Sequence, residues 1–188
     1  MEIFAETERL ILREIIPSDK EGMFELDSDP QVHLYLGNNP VKDMRRVKEI
    51  IQYIRQQYMD YGIGRWAIIE KETNSFIGWT GLKFNTEVVN NRTNYYDVGY
   101  RLIKRYWGRG FATESAIPAV DYGFEKLKLT EIIGIADVRN NASRKVLEKI
   151  GLHYVGKFDL EGDQHDWLQI SRDSWLLNHF DDLITNPY

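Results

Sequence analysis

The stretch 97–114 constrains the fold most, because its sequence pattern changes from strand to glycine turn and from turn to helix within 18 residues. From Val98 to Leu102, every second side chain is apolar, which is typical of a β-strand. Gly108 and Gly110 then interrupt the strand. A strand, a glycine turn and a helix start together favour an anion site, because glycine lets backbone N–H groups approach a ligand and the helix start adds unpaired donors. The helix is predicted from apolar residues spaced by three and four positions: Ala112, Ala116, Ile117, Val120, Phe124 and Leu127.

Neither common nucleotide-binding motif fits this turn. The dinucleotide fingerprint G-x-G-x-x-G lacks its third glycine here, and the P-loop motif G-x-x-x-x-G-K-[ST] is absent. The turn does contain Arg-x-x-Gly-x-Gly, from Arg105 to Gly110. Taken alone, this pattern also fits a tight strand–helix turn without a ligand.

The composition narrows the class of protein. The chain has 188 residues, of which 43% are hydrophobic and 28% charged, as expected for one globular domain. We expect neither a signal peptide nor a membrane span, because no apolar run approaches the roughly 20 residues that cross a bilayer. The absence of cysteine excludes disulfides and thiolate metal sites, and it favours a cytoplasmic location. Four scattered histidines predict no metal site, and a net charge of −5 predicts no nucleic-acid partner.

Three further segments accompany the glycine turn. Asn140 to Leu152 has the pattern N-x-x-S…E-K-x-G-L, and the other two segments are Thr7 to Asp19 and Phe76 to Leu82. In this order and spacing, the four segments resemble the GNAT superfamily of N-acetyltransferases, in the branch of the ribosomal-protein N-terminal (alanine/serine) acetyltransferases. That branch has Phe where this chain has Leu152. The resemblance covers about residues 5–177.

The resemblance implies a single N-acetyltransferase domain over residues 1–188, with the signature region at about 7–177. The sequence patterns predict an α+β fold of order β-α-α-β-β-β-α-β-α-β-β, with a mixed sheet of about six to seven strands and about four helices. In this family, the loop at 30–40 and the second helix line the acceptor side. The tail from Asn178 is expected to fray. Predicted strands are 6–16, 65–70, 76–82, the central strand from 95, 128–136, 153–158 and 166–176.

Acetyl-CoA is the co-substrate that the resemblance implies. Arg105 and Arg109 would add positive charge near its pyrophosphate. Leu102 and Ile103, where the central strand would separate from its neighbour, would pair with the pantetheine arm. Asn140 would bind the same arm, although asparagine is also a good helix N-cap. Backbone N–H groups for the pyrophosphate would come from Trp107, Gly108, Arg109, Gly110 and Phe111, with Ala112 and Thr113 at the helix start.

Proton transfer needs a donor for the departing thiolate and a neutral amine, although free amines are largely protonated near pH 7. By the resemblance, Ser143 lies near the coenzyme sulfur as the general acid, with Tyr154 and Tyr106 as alternatives. Asp97 on the central strand is a candidate general base, but it would also suit a structural pairing with an arginine. Phe158 stands where the branch has an acidic residue.

The identity of the general base therefore stays open. Asp159 and Glu161, which lie close to Phe158 in the sequence, are further candidates. Binding energy and a chain of waters would be another route to deprotonation.

The implied function is acetyl-CoA-dependent N-acetylation by direct attack of a primary amine in a ternary complex. A protein or peptide N-terminus is the first expectation. A small amine, such as a polyamine, an antibiotic or an amino acid, stays open, because the signature describes the coenzyme and not the acceptor. A non-catalytic acyl-CoA sensor would need neither Ser143 nor Asp97. A nucleotide-binding α/β domain is disfavoured by the missing lysine and glycine.

We expect no metal, nucleic acid or membrane partner, and a homodimer is left open because many relatives are dimers.

Overall fold

One eight-stranded sheet with helices on both faces makes up the structure, which is a computed structural model that describes residues 1–185. Short 3-10 helices lie at Pro17–Asp19 and Lys104–Tyr106. The strands are β1 (Ile3–Glu6), β2 (Leu10–Glu14), β3 (Arg65–Glu70), β4 (Ser75–Asn85), β5 (Tyr95–Leu102), β6 (Glu131–Asp137), β7 (His153–Leu160) and β8 (Asp163–Ser171). The helices are α1 (Lys20–Ser28), α2 (Met44–Tyr61), α3 (Phe111–Glu125), α4 (Asn141–Lys149) and α5 (Arg172–Thr185).

The sheet has an opening in its middle. Its strand order is β1-β2-β3-β4-β5-β6-β8-β7, and the one parallel pair is β5 with β6 in the part of the chain described. Antiparallel β4 stays aligned with β5 as far as Leu102, whereas β5 and β6 align only at Asp97 and Ile133. Beyond that pair, β5 runs on to Leu102 and β6 to Asp137 without further pairing. We call the space between these two strand ends the seam.

The helices are divided between the two faces of the sheet. Successive side chains of a strand point to opposite faces, and Tyr100 on β5 reaches α4 whereas its neighbour Arg101 reaches α1. α2 packs beside α1. α3 lies on the face of α4, where Gly123 is close to Leu82 and Ile132. The seam therefore has α1 and α2 on one side of the sheet and α3 and α4 on the other.

Two clusters of buried side chains stabilise this arrangement. The larger cluster contains the inward faces of α1 to α4 together with most of the sheet. The smaller one lies at the paired end of the seam and contains Tyr95, Ile133, Phe158 and Trp167. Because it joins β5, β6, β7 and β8, it closes one end of the seam and leaves the end near Leu102 and Asp137 open.

The predicted α+β class is confirmed, with one more strand and one more helix than the sequence indicated. The predicted strand 6–16 contains β2, whereas β1 lies before it except for Glu6. The two strands are separated by a turn in which the Thr7 N–H donates to the Leu10 carbonyl. The predicted strand 166–176 was wrong beyond Ser171, whose hydroxyl accepts the N–H of Ser174 and begins α5. The tail from 178 is helical to Thr185, and 186–188 lie outside the described residues. No helix of the described part is long and apolar enough to cross a membrane.

Glu114 ties the N-terminal hairpin to the first turn of α3. Its carboxylate accepts hydrogen bonds from the Thr7 hydroxyl (2.6 Å), the Arg9 N–H (3.1 Å) and Arg9 Nε (2.7 Å). Burial by itself would raise the pKa of Glu114, but these hydrogen bonds outweigh it and hold the pKa below its usual value. Glu114 therefore stabilises the fold as a carboxylate.

Glu114→Gln is expected to reduce the free energy of unfolding by about 1 kcal/mol at pH 7, since it removes a charge-assisted contact whose arginine is partly solvated. That loss corresponds to a melting temperature lower by about 2–4 °C. Because the folded-state pKa is depressed, the carboxylate's contribution is complete above pH 4.5 and disappears as the pH falls through the folded pKa. The difference in melting temperature between the variant and the wild type should therefore become smaller toward the acid end of a series from pH 7 to pH 3.5. Glu8→Gln, at an exposed neighbouring position, is the control, and equal effects of both variants would contradict the prediction.

Candidate active site

The first turn of α3 presents unpaired N–H groups at an exposed glycine turn. Gly108 and Gly110 have φ of +73° and +82°, in the region that favours glycine. Gly110 is the N-cap residue and has no side chain to cap the helix, whereas side chains cap α2 and α4. The first hydrogen bond of the helix runs from the Glu114 N–H to the Gly110 carbonyl (3.0 Å), so the N–H groups of residues 111–113 have no partner inside the helix. These donors fit a pyrophosphate group.

The two arginines predicted beside the pyrophosphate are both paired with carboxylates. Arg105 forms an ion pair with a glutamate of α1. Arg109 Nη2 lies 3.1 Å from Glu70 Oε1, and its guanidinium lies over the Phe111 ring. Arg9, which the sequence did not indicate, also lies over this ring, 4.3 Å from its centroid. All three arginines beside the turn are therefore paired with a glutamate: Arg105 with Glu25, Arg109 with Glu70 and Arg9 with Glu114.

Leu102 and Ile103 face opposite sides of the end of β5. The Ile103 N–H donates to the Ile77 carbonyl of β4 (2.9 Å), and since backbone groups alternate in direction, those of Leu102 face the seam. The Leu102 carbonyl accepts the indole N–H of Trp107 (2.7 Å). The Leu102 N–H is therefore the group of this residue that is available to a ligand in the seam. Tyr100, two residues earlier, faces the seam with both backbone groups. The Ile103 N–H is therefore paired within the sheet, whereas the backbone groups of Leu102 and Tyr100 point into the seam.

Asn140 and Ser143 lie at the start of α4. Asn140 Oδ1 accepts the N–H of Ser143 (3.0 Å), which is the predicted N-cap. The Nδ2 group of Asn140 has no hydrogen-bond partner among the described residues, so capping and binding of a ligand amide are compatible. The Ser143 hydroxyl lies 3.1 Å from the hydroxyl of Tyr100, which also lies 2.7 Å from the Ser143 carbonyl oxygen. Burial raises the pKa of Tyr100, so this phenol stays protonated.

Asp97 is held by two partners. Arg65 Nη2 lies 2.6 Å from Oδ2, and Asn85 Nδ2 donates to Oδ1 (2.7 Å). Both oxygens are thus engaged, an arrangement that suits the alternative in which Asp97 pairs with an arginine. Arg65 in turn lies over the ring of Trp79.

The remaining candidates from the sequence have structural surroundings. Phe158 belongs to the smaller buried cluster. Asp159 accepts the N–H of Gly162 in the β7–β8 turn, and Glu161 is exposed there. Tyr154 is exposed beneath a guanidinium, and Tyr106 packs against the glycine turn. Among the side chains described, those of residues 1–178, no three from His, Cys, Asp or Glu are placed to hold a metal ion.

A buried polar cluster lies on the α1 side of β5. Asp27 Oδ1 is 2.6 Å from Arg101 Nη1 and 3.8 Å from His33 Nε2. His33 is 7% exposed, and neither ring nitrogen has a hydrogen-bond partner in the described part of the chain. His33 lies in a short apolar run, Val32 to Leu36, which also fits a core residue, so sequence reasoning does not select it as a functional residue.

The segment 29–38 extends from this cluster toward the end of β6. Asp137, then Asp163 and Tyr35, raise the pKa of Arg139, which follows β6, against the opposing effect of burial. Leu34 and Leu36 are 55% and 45% exposed. The segment therefore borders the seam opposite to α3 and α4, on the side predicted for the acceptor.

Stability is expected to fall as the pH drops below 6.5, in part through His33. Burial and then the Arg101 charge lower the pKa of His33, against the opposing effects of Asp27 and Asp29. With the folded-state pKa below the unfolded value of 6.5, the unfolded chain binds the proton more readily, so this loss begins near pH 6.5 and ends below the folded pKa.

His33→Leu should reduce the difference in melting temperature between pH 7.5 and pH 5.5. His153→Gln, at an exposed histidine, should leave that difference unchanged. An unchanged difference in His33→Leu would exclude His33 as a source of the acid sensitivity.

The comparisons with known proteins agree with this geometry. A model of the acetyltransferase (GNAT) domain family matches residues 9–153. The chain is 33% identical over 150 residues to the uncharacterised N-acetyltransferase p20 of Bacillus licheniformis, covering 80% of this chain and 82% of p20. The fold is similar to spermidine N-acetyltransferase from Vibrio cholerae in complex with CoA and spermine, with a TM-score of 0.73, 20% identity and coverage of 90% and 99%. It is also similar to RimL, a ribosomal α-N-protein acetyltransferase in complex with CoA, with a TM-score of 0.75, 19% identity and coverage of 92% and 99%. The chain belongs to the GNAT acetyltransferase family and is an N-acetyltransferase.

Proposed function

We propose that this N-acetyltransferase moves the acetyl group of acetyl-CoA to the N-terminal amine of a protein or peptide. One observation carries the coenzyme assignment: an uncapped helix start lies beside a seam whose β5 edge is unpaired. A pyrophosphate joined to an amide-containing arm would satisfy both sets of donors.

Each part of the seam has a role in this proposal. The N–H groups of residues 111–113 would bind the pyrophosphate, and the backbone of Leu102 with the Asn140 amide would bind the pantetheine arm. Ser143 would donate a hydrogen bond to the departing sulfur. The acceptor nitrogen forms a bond to the acetyl carbon as the carbon–sulfur bond breaks. Of the two protons that the ammonium form of the acceptor loses, one ends on sulfur and one in solvent.

The acceptor would approach from the side of α1 and α2. The segment 29–38 borders the seam there with exposed Leu34 and Leu36. Apolar side chains beside a reaction site suit an acceptor that continues as a peptide chain, since they offer surface to its first side chains. RimL, whose name describes a protein α-amine as its acceptor, has the same fold.

A polyamine is the second candidate acceptor. Asp159 and Glu161 are exposed in the β7–β8 turn, and Asp163 there lies 3.3 Å from Arg139. Carboxylates in this position would attract a polycation. The spermidine N-acetyltransferase from Vibrio cholerae shares the fold and was solved with spermine.

Two measurements in sequence test the proposal. Melting curves with acetyl-CoA, CoA or ATP come first, and stabilisation of about 2–4 kcal/mol is expected from the CoA species at large excess but not from ATP. Thiol release is then followed with a panel of peptides, polyamines and amino acids. Release with peptides supports the proposal, and release with polyamines alone favours the second candidate. A melting shift without thiol release from any amine would indicate a sensor of acyl-CoA.

A further inference from the structure

Tyr100 links the end of β5 to Ser143, the candidate general acid, at the start of α4. Its backbone faces the seam at the end of β5, and its side chain crosses to the first turn of α4. Its hydroxyl lies 2.7 Å from the carbonyl oxygen of Ser143 and 3.1 Å from Ser143 Oγ. The two residues are 43 positions apart in sequence, so the fold alone brings them together.

The phenol is suited to donate a hydrogen bond rather than to surrender its proton. Burial raises the pKa of Tyr100, and the hydrogen bonds to α4 offset this only in part. A tyrosinate at this position is therefore disfavoured at any pH where the enzyme would work. The single phenolic hydrogen is donated to the Ser143 carbonyl oxygen, which can only accept, so the Ser143 hydroxyl is the donor in its 3.1 Å contact with the Tyr100 oxygen.

Donation from Tyr100 to the Ser143 carbonyl joins the first turn of α4 to the end of β5. Ser143 Oγ would thereby be held beside the seam, where its hydrogen can turn from the Tyr100 oxygen to another acceptor. Without the phenol, the first turn of α4 would be held less firmly, and fewer orientations of the serine hydroxyl would be productive.

We propose that Tyr100 is a positioning residue that holds Ser143 through its carbonyl oxygen, so that the serine hydroxyl reaches the sulfur of the departing thiolate. The inference rests on the proposed function. As the carbon–sulfur bond breaks, its electron pair stays on sulfur. Ser143 passes its proton to sulfur and takes one from the acceptor nitrogen, so that Ser143 and Tyr100 both end unchanged.

Tyr100→Phe tests this role because it removes only the hydroxyl. We expect kcat to fall about tenfold, whereas KM for acetyl-CoA stays within about twofold, since the backbone of residue 100 is kept. The decisive measurement is a double-mutant cycle with Ser143→Ala. If Tyr100 acts through Ser143, Tyr100→Phe should cause no further loss in the Ser143→Ala background.

Tyr58→Phe is the matched structural control. The Tyr58 hydroxyl is also buried, accepts the N–H of Ile15 and donates to the carbonyl of Arg65. We expect this variant to lower the melting temperature with kcat little changed. The inference is overturned if Tyr100→Phe keeps the wild-type kcat, if its loss recurs in the Ser143→Ala background, or if Tyr58→Phe lowers kcat equally. Failure of the wild-type protein to acetylate any amine would instead overturn the proposed function and, with it, this role.

Discussion

Gly78→Ala is expected to reduce the free energy of unfolding by about 3 kcal/mol and to lower the melting temperature by roughly 6–12 °C. Gly78 aligns with Leu102 where β4 meets the end of β5, and its φ of +154° disfavours other residues. A Cβ atom there would lie 2.1 Å from the carbonyl oxygen of Arg101, a backbone atom that cannot turn aside. The strands would have to separate at the edge of the seam, so the affinity for acetyl-CoA should fall as well.

Gly156→Ala provides the matched control for that experiment. Gly156 also lies in a strand, but an added Cβ would meet no atom within 4 Å. Thermal denaturation and calorimetric titration with acetyl-CoA would be compared for both variants. If Gly78→Ala melted within 2 °C or so of the wild type, about 1 kcal/mol or less, the close approach of β4 to β5 would not be required.

Ser143→Ala is expected to lower kcat about 100-fold, at the lower end of the range for loss of a general acid, with KM for acetyl-CoA little changed. The hydroxyl would act on the departing sulfur rather than on the bound coenzyme, so its loss should appear in the chemical step. Melting with and without acetyl-CoA would verify that the variant still binds it.

Ser115→Ala is the control for the serine experiment. The Ser115 hydroxyl is fully buried in α3 and donates to the carbonyl of Ala112, so its loss should affect stability and not turnover. A Ser143→Ala enzyme with at least a third of the wild-type kcat would remove Ser143 from the mechanism and leave sulfur protonation to solvent.

The parts of the site that the sequence predicted are those formed by neighbouring residues. The glycine turn could be predicted because the strand, the glycines and the helix follow one another within 97–114. In the structure, this stretch contains the end of β5 and the uncapped start of α3. Asn140 was predicted as a cap three residues before Ser143, and its side chain does accept the Ser143 N–H. Local spacing determines such contacts, so one sequence is enough to predict them.

The contacts that the sequence did not predict join distant residues. Asp27 and Arg101 are 74 positions apart, and Tyr100 and Ser143 are 43 apart. Apolar alternation predicts that Val98, Tyr100 and Leu102 point to one face of the sheet, but it carries no information on which helix covers that face. The same limit applies to Asp97, since only the fold shows that Arg65 and Asn85 occupy both of its oxygens.

The first strand and the last helix show a different limit. Apolar residues through Leu168 and Trp175 predict one continuous strand, although Ser171 provides an N-cap within this run. Strand and helix patterns overlap in short apolar runs, so a single capping residue decides between them. At the other end, the turn at Thr7 is fixed by its contact with Glu114, which is distant in sequence.

The seam has a consequence for how this protein associates with other chains. A strand with unpaired backbone amide groups at the edge of a sheet can pair with a strand of another chain. Proteins therefore usually cover such edges. Here the free edge lies inside the sheet and is closed at one end by the cluster around Trp167. A coenzyme arm bound there would act as a guest strand and shield the edge. The concentration of coenzyme would then determine the fraction of protein molecules in which this edge is covered and cannot pair with a strand of another chain, independently of catalysis.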